Sequence, residues 1–106
     1  MVIGGLGGKG GDVADFDARV AKVVRAIRKG TVSSYGQVAA AAGAPRGARA
    51  VVQALNRLRG LPWWRVIRSD GTLAPEVARE QARRLRAEGV EVRGRRVEGV
   101  KAIRDW

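Results

Sequence analysis

The sequence has no cysteine and no histidine in 106 residues, and only five aromatic side chains: three Trp, one Tyr and one Phe. Without cysteine there is no disulfide, no thiolate metal ligand and no thiol nucleophile. Without histidine the usual general base and the commonest transition-metal ligand are missing. Most hydrolase and transferase mechanisms therefore lose a required part, and neither metal nor organic cofactor is expected. Long apolar runs are scarce too. Nothing approaches the ~18 consecutive apolar residues of a membrane span, so no membrane partner is expected. The opening stretch Met1 to Gly8 is too rich in glycine, and its apolar run too short, for a secretion signal. A cytoplasmic, nucleoid-associated protein is the expectation.

Positive charge is abundant. Lys and Arg number 21 against 10 Asp and Glu, a formal charge of +11, and 17 of the 21 are Arg. Arg forks onto phosphates and base edges, and a charge this high on a small domain favours a polyanionic partner, nucleic acid first. A GC-rich genome also enriches Arg, Ala, Val and Gly, so composition alone does not separate the two causes. The length fits one domain that buries roughly 60–70% of its unfolded surface, and no linker divides it.

Six of the first 11 residues are Gly, so residues 1–11 read as a flexible tail and residues 12–106 as the folded domain. A first helix starts near Asp12 to Asp15. Its apolar face is Phe16, Val20, Val23, Val24 and Ile27, and Gly30 ends it. Ser34-Tyr35-Gly36-Gln37 is an S-x-x-Q capping box that opens a short helix running to about Ala42. Gly43-Ala44-Pro45 makes a tight break before a third helix over about Arg46 to Leu58. Ala48, Val51, Val52 and Leu55 point inward there, while Arg46, Arg49, Gln53 and Asn56 share the outer face. Two short helices across a glycine-containing turn describe a helix-turn-helix.

Leu61-Pro62 breaks the pattern, and Trp63 to Ile67 reads as an extended run whose adjacent Trp rings face opposite ways. Ser69-Asp70-Gly71 is a turn. Ala78, Ala82 and Leu85 support a fourth helix from about Pro75 to Glu88, closed by Gly89. Val90-Glu91-Val92 and Arg96-Val97 pair across Gly94 as a small hairpin, in the place of a wing. The fold class is mainly α with a small β part, winged helix-turn-helix-like.

Several pieces then occur in order: Tyr35-Gly36, Gly43-x-Pro45, Ala48-Arg49-Ala50-Val51, Pro62-Trp63-x-Arg65-Val66-Ile67 and Glu88-Gly89. The chain resembles the C-terminal domain of O6-alkylguanine-DNA alkyltransferases, whose active-site motif is Pro-Cys-His-Arg-Val. It is more closely similar to the alkyltransferase-like proteins, in which Trp replaces that Cys. The resemblance runs from about Asp15 to Val92. It implies an alkyltransferase C-terminal type of fold whose recognition helix docks in the minor groove. Arg49 matches the arginine that fills the gap left by a flipped nucleotide. Tyr35 matches the tyrosine that presses on the 3′ phosphate. Gly47 and Ala48 match the small residues that allow close approach, with Arg46 and Gln53 beside them on the DNA face. The resemblance places Trp63 at the alkyl-accepting position, in a lesion pocket with Tyr35, Arg65, Val66 and Ser69.

The transferases activate their thiol through a His, a water and a Glu. Here Glu88 remains, but Cys has become Trp63 and His has become Trp64, and an indole is no nucleophile toward an alkyl ether. Glu88 is left with a structural hydrogen bond. The implied role is non-enzymatic: a monomer that binds double-stranded DNA with an alkylated guanine and flags it to nucleotide excision repair proteins. Two departures stand out. Trp64 replaces the His that relatives keep, and the short segment from Gly71 to Glu88 lacks the transferases' Gly-Gly-Tyr loop, leaving Arg68, Ser69 and Thr72 as candidates to close the pocket. The alternatives are a winged helix-turn-helix regulator reading sequence in the major groove, and a basic nucleoid or ribosomal protein with little discrimination and a steep salt dependence.

Overall fold

The computed structural model describes residues 3–98, with side chains from Ala14 onward. Among the described residues there are four α-helices: α1 (Ile3–Arg25), α2 (Tyr35–Ala41), α3 (Ala48–Arg57) and α4 (Ala78–Ala87). Four two-residue strands accompany them: β1 (Ser33–Ser34), β2 (Val66–Ile67), β3 (Val92–Arg93) and β4 (Arg96–Val97). β1 pairs with β2 in parallel, Ser33 opposite Val66 and Ser34 opposite Ile67, and β3 with β4 antiparallel. This is the expected mainly-α, helix-turn-helix-like architecture, with the hairpin where a wing belongs.

Helix α1 begins at Ile3 rather than at Asp12 to Asp15, so most of the glycine-rich segment lies on its backbone ladder. Glycine disfavours a helix by about 1 kcal/mol per residue, and from Ala14 onward α1 packs an apolar face against the core. Val20, Ala21 and Val24 are buried, and Phe16 and Val23 pack beside them. The helix also ends earlier than Gly30. The Ala26 and Ile27 amides bond back to Val23 and Val24, tightening the last turn. Thr31 then bonds Arg28 through both its amide and its hydroxyl. Gly30 takes a φ of +88°, which favours glycine in that turn.

The capping box forms as expected. The Gln37 amide donates to Ser34 Oγ at 3.1 Å, and the Ser34 amide donates to Gln37 Oε1 at 3.3 Å. At the far end Arg19 Nε donates to the Ala42 carbonyl at 2.7 Å, supplying a cation where α2 leaves its carbonyls unpaired. Helices α3 and α4 each start later than expected, at Ala48 and Ala78, because Pro45-Arg46 and Pro75-Glu76-Val77 are spent in turns. On α3 the inward face is Val51 and Ala54, with Leu55 half-buried. Val52, expected inside, is 38% exposed, since it lies a quarter-turn from Val51. Arg57 bonds Asp17 at 2.7 Å and ties α3 to α1.

Two hydrophobic clusters meet at the β1–β2 pair. One joins α1, α2 and α3 and includes Val66; the other joins α4, Leu73 and the hairpin and includes Ile67. Successive strand residues point to opposite sides, so this two-residue strand serves both clusters.

Candidate functional site

Between Pro62 and Val66 the chain is not extended. Trp63–Arg65 form one turn of 3-10 helix, with the Arg65 amide donating to the Pro62 carbonyl at 3.1 Å. The tight turn places the two indoles edge to face, 85° apart with centroids at 6.0 Å, rather than on opposite sides. Their directions still differ in use. Trp63 faces a cavity, while Trp64 packs on the α4 cluster.

Trp64, Arg65 and Glu88 form a single knot. The Trp64 indole N–H donates to Glu88 Oε2 at 2.9 Å, and Arg65 donates from Nε to Oε1 at 2.9 Å and from Nη2 to Oε2 at 2.7 Å. The Gly30 amide adds a longer bond to Oε1 at 3.4 Å, and Arg65 Nη1 donates to the Ile27 carbonyl at 2.9 Å. The Glu88 side chain is 9% exposed and that of Arg65 14%. Arg65 is the main cause that lowers the Glu88 carboxyl to about 2, with Trp64 and Gly30 assisting against burial. A carboxylate so held is a poor proton acceptor, and its four donors describe a brace. From the other side Gln81, 1% exposed on α4, donates to the carbonyls of Trp64 and Val66 at 3.1 and 2.8 Å. The guanidinium of Arg84 lies 4.6 Å from the Trp64 ring centroid, a cation–π contact. Helix α4 thus fixes the turn that presents Trp63.

The cavity has a volume of about 620 Å³, and its walls come from four segments. Tyr35 opens α2; Val52, Leu55 and Asn56 lie on α3, with Leu58, Arg59 and Gly60 just beyond; Trp63 belongs to the tight turn; Ala74, Glu76 and Val77 precede α4. The capping box sets Tyr35 at the first helical position, and the β1–β2 pairing brings it beside the turn that carries Trp63. Burial is the chief cause raising the Tyr35 phenol above its ordinary value; Arg68 pulls it down and Glu76 pushes it up. A second hollow of about 510 Å³ lies at the hairpin among Arg86, Glu91, Arg93 and Glu98, and holds no aromatic ring to stack on a base.

Of the residues expected in one pocket, Tyr35 and Trp63 are together on this cavity, and Arg65, Val66 and Ser69 are not on its wall. Arg65 turns to Glu88, Val66 is fully buried in the helical cluster, and Ser69 is exposed in the following loop. The residues that cover the cavity are Ala74, Glu76 and Val77, rather than Arg68, Ser69 or Thr72. Thr72 is occupied with Asp70, to which its amide and hydroxyl both donate.

Arg46, Arg49 and Gln53 are exposed, and Gly47 and Ala48 are half-buried. Gly47 has a packing reason to be glycine: a Cβ there would lie 3.0 Å from both Cβ and O of Ala44. Among the described residues no cluster of three or more His, Cys, Asp or Glu exists to hold a metal, and no helix is long and apolar enough to cross a membrane.

Residues 15–90 match the family described as 6-O-methylguanine DNA methyltransferase, DNA binding domain. The chain is 46% identical over 85 residues to the DNA base-flipping protein of Escherichia coli (strain K12), covering 74% of this chain and 65% of that one, so it spans just under two thirds of that relative's length. It is 41% identical over 85 residues to Alkyltransferase-like protein 1 of Schizosaccharomyces pombe, covering 74% of this chain and 79% of the relative. The crystal structure of S. pombe Atl1 in complex with damaged DNA containing O6-carboxymethylguanine matches with a TM-score of 0.78 at 34% identity, over 85% of this chain and 94% of that one. The chain therefore belongs to the family of the 6-O-methylguanine DNA methyltransferase DNA-binding domain, as one of its alkyltransferase-like members.

Proposed function

We propose that this protein recognises O6-alkylguanine in duplex DNA and marks it without altering it. Helix α3 docks in the minor groove with Arg46, Arg49 and Gln53 toward the duplex. Arg49 fills the gap left by the rotated nucleotide, and Tyr35 presses on its 3′ phosphate. The damaged base enters the cavity walled by Tyr35 and Trp63. One observation carries this reading: the single Tyr and Trp63 share one cavity, and that cavity is walled by the same helix that carries Arg49.

The energetics are consistent with selection by damage. Flipping costs a few kcal/mol, least where pairing is already poor, and alkylation at O6 disrupts the Watson–Crick edge of guanine. Each CH₂ buried against Trp63, Val52 and Leu55 returns about 0.8 kcal/mol. No bond is made, because the sequence holds no cysteine or histidine and the Glu88 carboxylate is occupied by Arg65 and Trp64. The complex is reversible, and its lifetime is the signal to nucleotide excision repair proteins. We place this activity in residues 12–106, acting as a monomer on the DNA of the cytoplasmic nucleoid, with the glycine-rich residues 1–11 outside the DNA-binding unit.

The test is the affinity for a duplex carrying one O6-methylguanine against the same duplex undamaged, at two salt concentrations. Preference for the lesion that persists at the higher salt is expected. Equal affinities at both would refute lesion recognition and leave phosphate attraction alone.

A further inference from the structure

Arg68 stands beside Tyr35 without forming part of the cavity wall. β1 and β2 run in parallel with Ser34 opposite Ile67, so the next residues, Tyr35 and Arg68, leave the pair side by side. Val66 belongs to the helical cluster and Ile67 to the other. Strand alternation returns position 68 to the helical side, where Tyr35 packs. Its charge is felt there: after burial, which raises the Tyr35 phenol, Arg68 is the next influence and lowers it.

The backbone under Arg68 is fixed. Its amide donates to the Thr72 carbonyl at 3.1 Å, and its carbonyl accepts from the Gly71 amide at 2.9 Å. The hairpin ties down the same turn, through the Val97 amide on the Gly71 carbonyl at 2.9 Å and Arg96 Nη1 on the Asp70 carbonyl at 3.0 Å. Asp70, the acid of that turn, is occupied by the amide and hydroxyl of Thr72. Arg95 and Arg96 are bonded to the carbonyls of Leu73 and Asp70. Arg68 is exposed and, among the described residues, makes no ion pair.

We propose that Arg68 is a phosphate-binding residue that grips, together with Tyr35, the DNA phosphate on the 3′ side of the rotated nucleotide. This rests on the reading of Tyr35 as the residue that presses on that phosphate. A phenol offers one O–H donor and no charge, a weak hold on a phosphate that must shift as the nucleotide turns. A guanidinium beside it adds a fork of N–H donors and a positive charge. Arg68 thus acts on the backbone rather than as a cover for the base, and it holds the rotated state without choosing among adducts.

The test uses the full chain and an O6-methylguanine duplex whose 3′ phosphate is replaced by an uncharged methylphosphonate, with the all-phosphate and undamaged duplexes as references. Neutralising that phosphate should weaken binding of the unsubstituted protein roughly three- to tenfold, the range of a partly exposed charge-assisted contact. Arg68→Ala should weaken binding to the all-phosphate damaged duplex by a similar factor and make the slope of log affinity against log salt shallower by about one. On the methylphosphonate duplex it should bind as the unsubstituted protein does. Arg68→Lys should restore the salt slope, and an unchanged Tm for both variants reports that the fold is intact. An Arg68→Ala loss of the same factor on both duplexes, or no loss on either, would overturn the contact. A protein that prefers the lesion but is indifferent to the methylphosphonate would overturn the Tyr35 phosphate reading and this inference with it. Equal affinity of the unsubstituted protein for damaged and undamaged duplexes would overturn lesion recognition itself.

Discussion

Glu88→Gln tests whether the carboxylate is a brace for the Trp63 turn. The substitution keeps the shape and one acceptor oxygen but removes the charge between Arg65 and Trp64. Arg65 would stay enclosed, with its Ile27 carbonyl bond but no anion. The Glu88 carboxyl is lowered to about 2 in the folded protein from an ordinary 4.5, and at about 1.4 kcal/mol per pKa unit this corresponds to roughly 3–4 kcal/mol. The cost of breaking one side of a buried ion pair, about 3–5 kcal/mol, agrees in size. For a domain of this length the loss should lower Tm by about 10–20 °C. The sign with pH follows from linkage. A carboxyl lowered on folding adds stability that is fully present above its unfolded value and fades as pH falls through the folded one. Urea unfolding followed by circular dichroism should therefore show the unsubstituted protein about 3–4 kcal/mol more stable than Glu88→Gln at pH 7, the gap closing between about pH 4.5 and 2. Glu80, also held to about 2, and Asp70 titrate in both proteins and cancel in the difference. A gap below about 1 kcal/mol at pH 7, or one that does not change with pH, would refute the bracing role.

Three further outcomes are expected. Arg49→Ala and Tyr35→Ala should each weaken binding to an O6-methylguanine duplex at least tenfold, while Arg83→Ala, whose guanidinium bonds Glu80 on its own helix, removes the same charge with little effect; equal losses in a binding titration would indicate generic electrostatics. Trp63→Cys should show no rapid stoichiometric dealkylation of an O6-methylguanine oligonucleotide by mass spectrometry, because no neighbouring base activates the thiol and only a few per cent is thiolate at pH 7. Gly47→Ala should cost about 1–3 kcal/mol in a melting experiment, because its Cβ overpacks Ala44.

Features fixed by neighbouring residues were legible in the sequence. The Ser34–Gln37 box, the Phe16-to-Ile27 stripe and the glycine-centred hairpin turn each depend on residues within one or two turns of one another. What depended on distant partners was not. The β1–β2 pairing joins Ser33-Ser34 to Val66-Ile67 across more than 30 residues, and two-residue strands carry no alternation to detect. The dipeptide Trp63-Trp64 looks extended because Leu61-Pro62 interrupts the helical periodicity, but a 3-10 turn fits the same residues. Arg65 and Val66 were marked as part of a motif, yet sequence does not say which way a side chain points; one meets Glu88 and the other the core. The cavity cover at Ala74, Glu76 and Val77 carries no local signature, since its meaning depends on Tyr35 and Trp63 standing opposite. Leu55 was read as core, and it is half-buried because it lines that cavity.

The central claim is that the damaged base leaves the helix for the cavity lined by Tyr35 and Trp63. It is tested most directly by the fluorescence of 2-aminopurine placed next to an O6-methylguanine, since that probe brightens when its stacking neighbour departs. Adding the protein should brighten the damaged duplex and leave the undamaged one unchanged, and Tyr35→Ala should suppress the rise. Tight binding to the damaged duplex with no change in the probe would contradict the account.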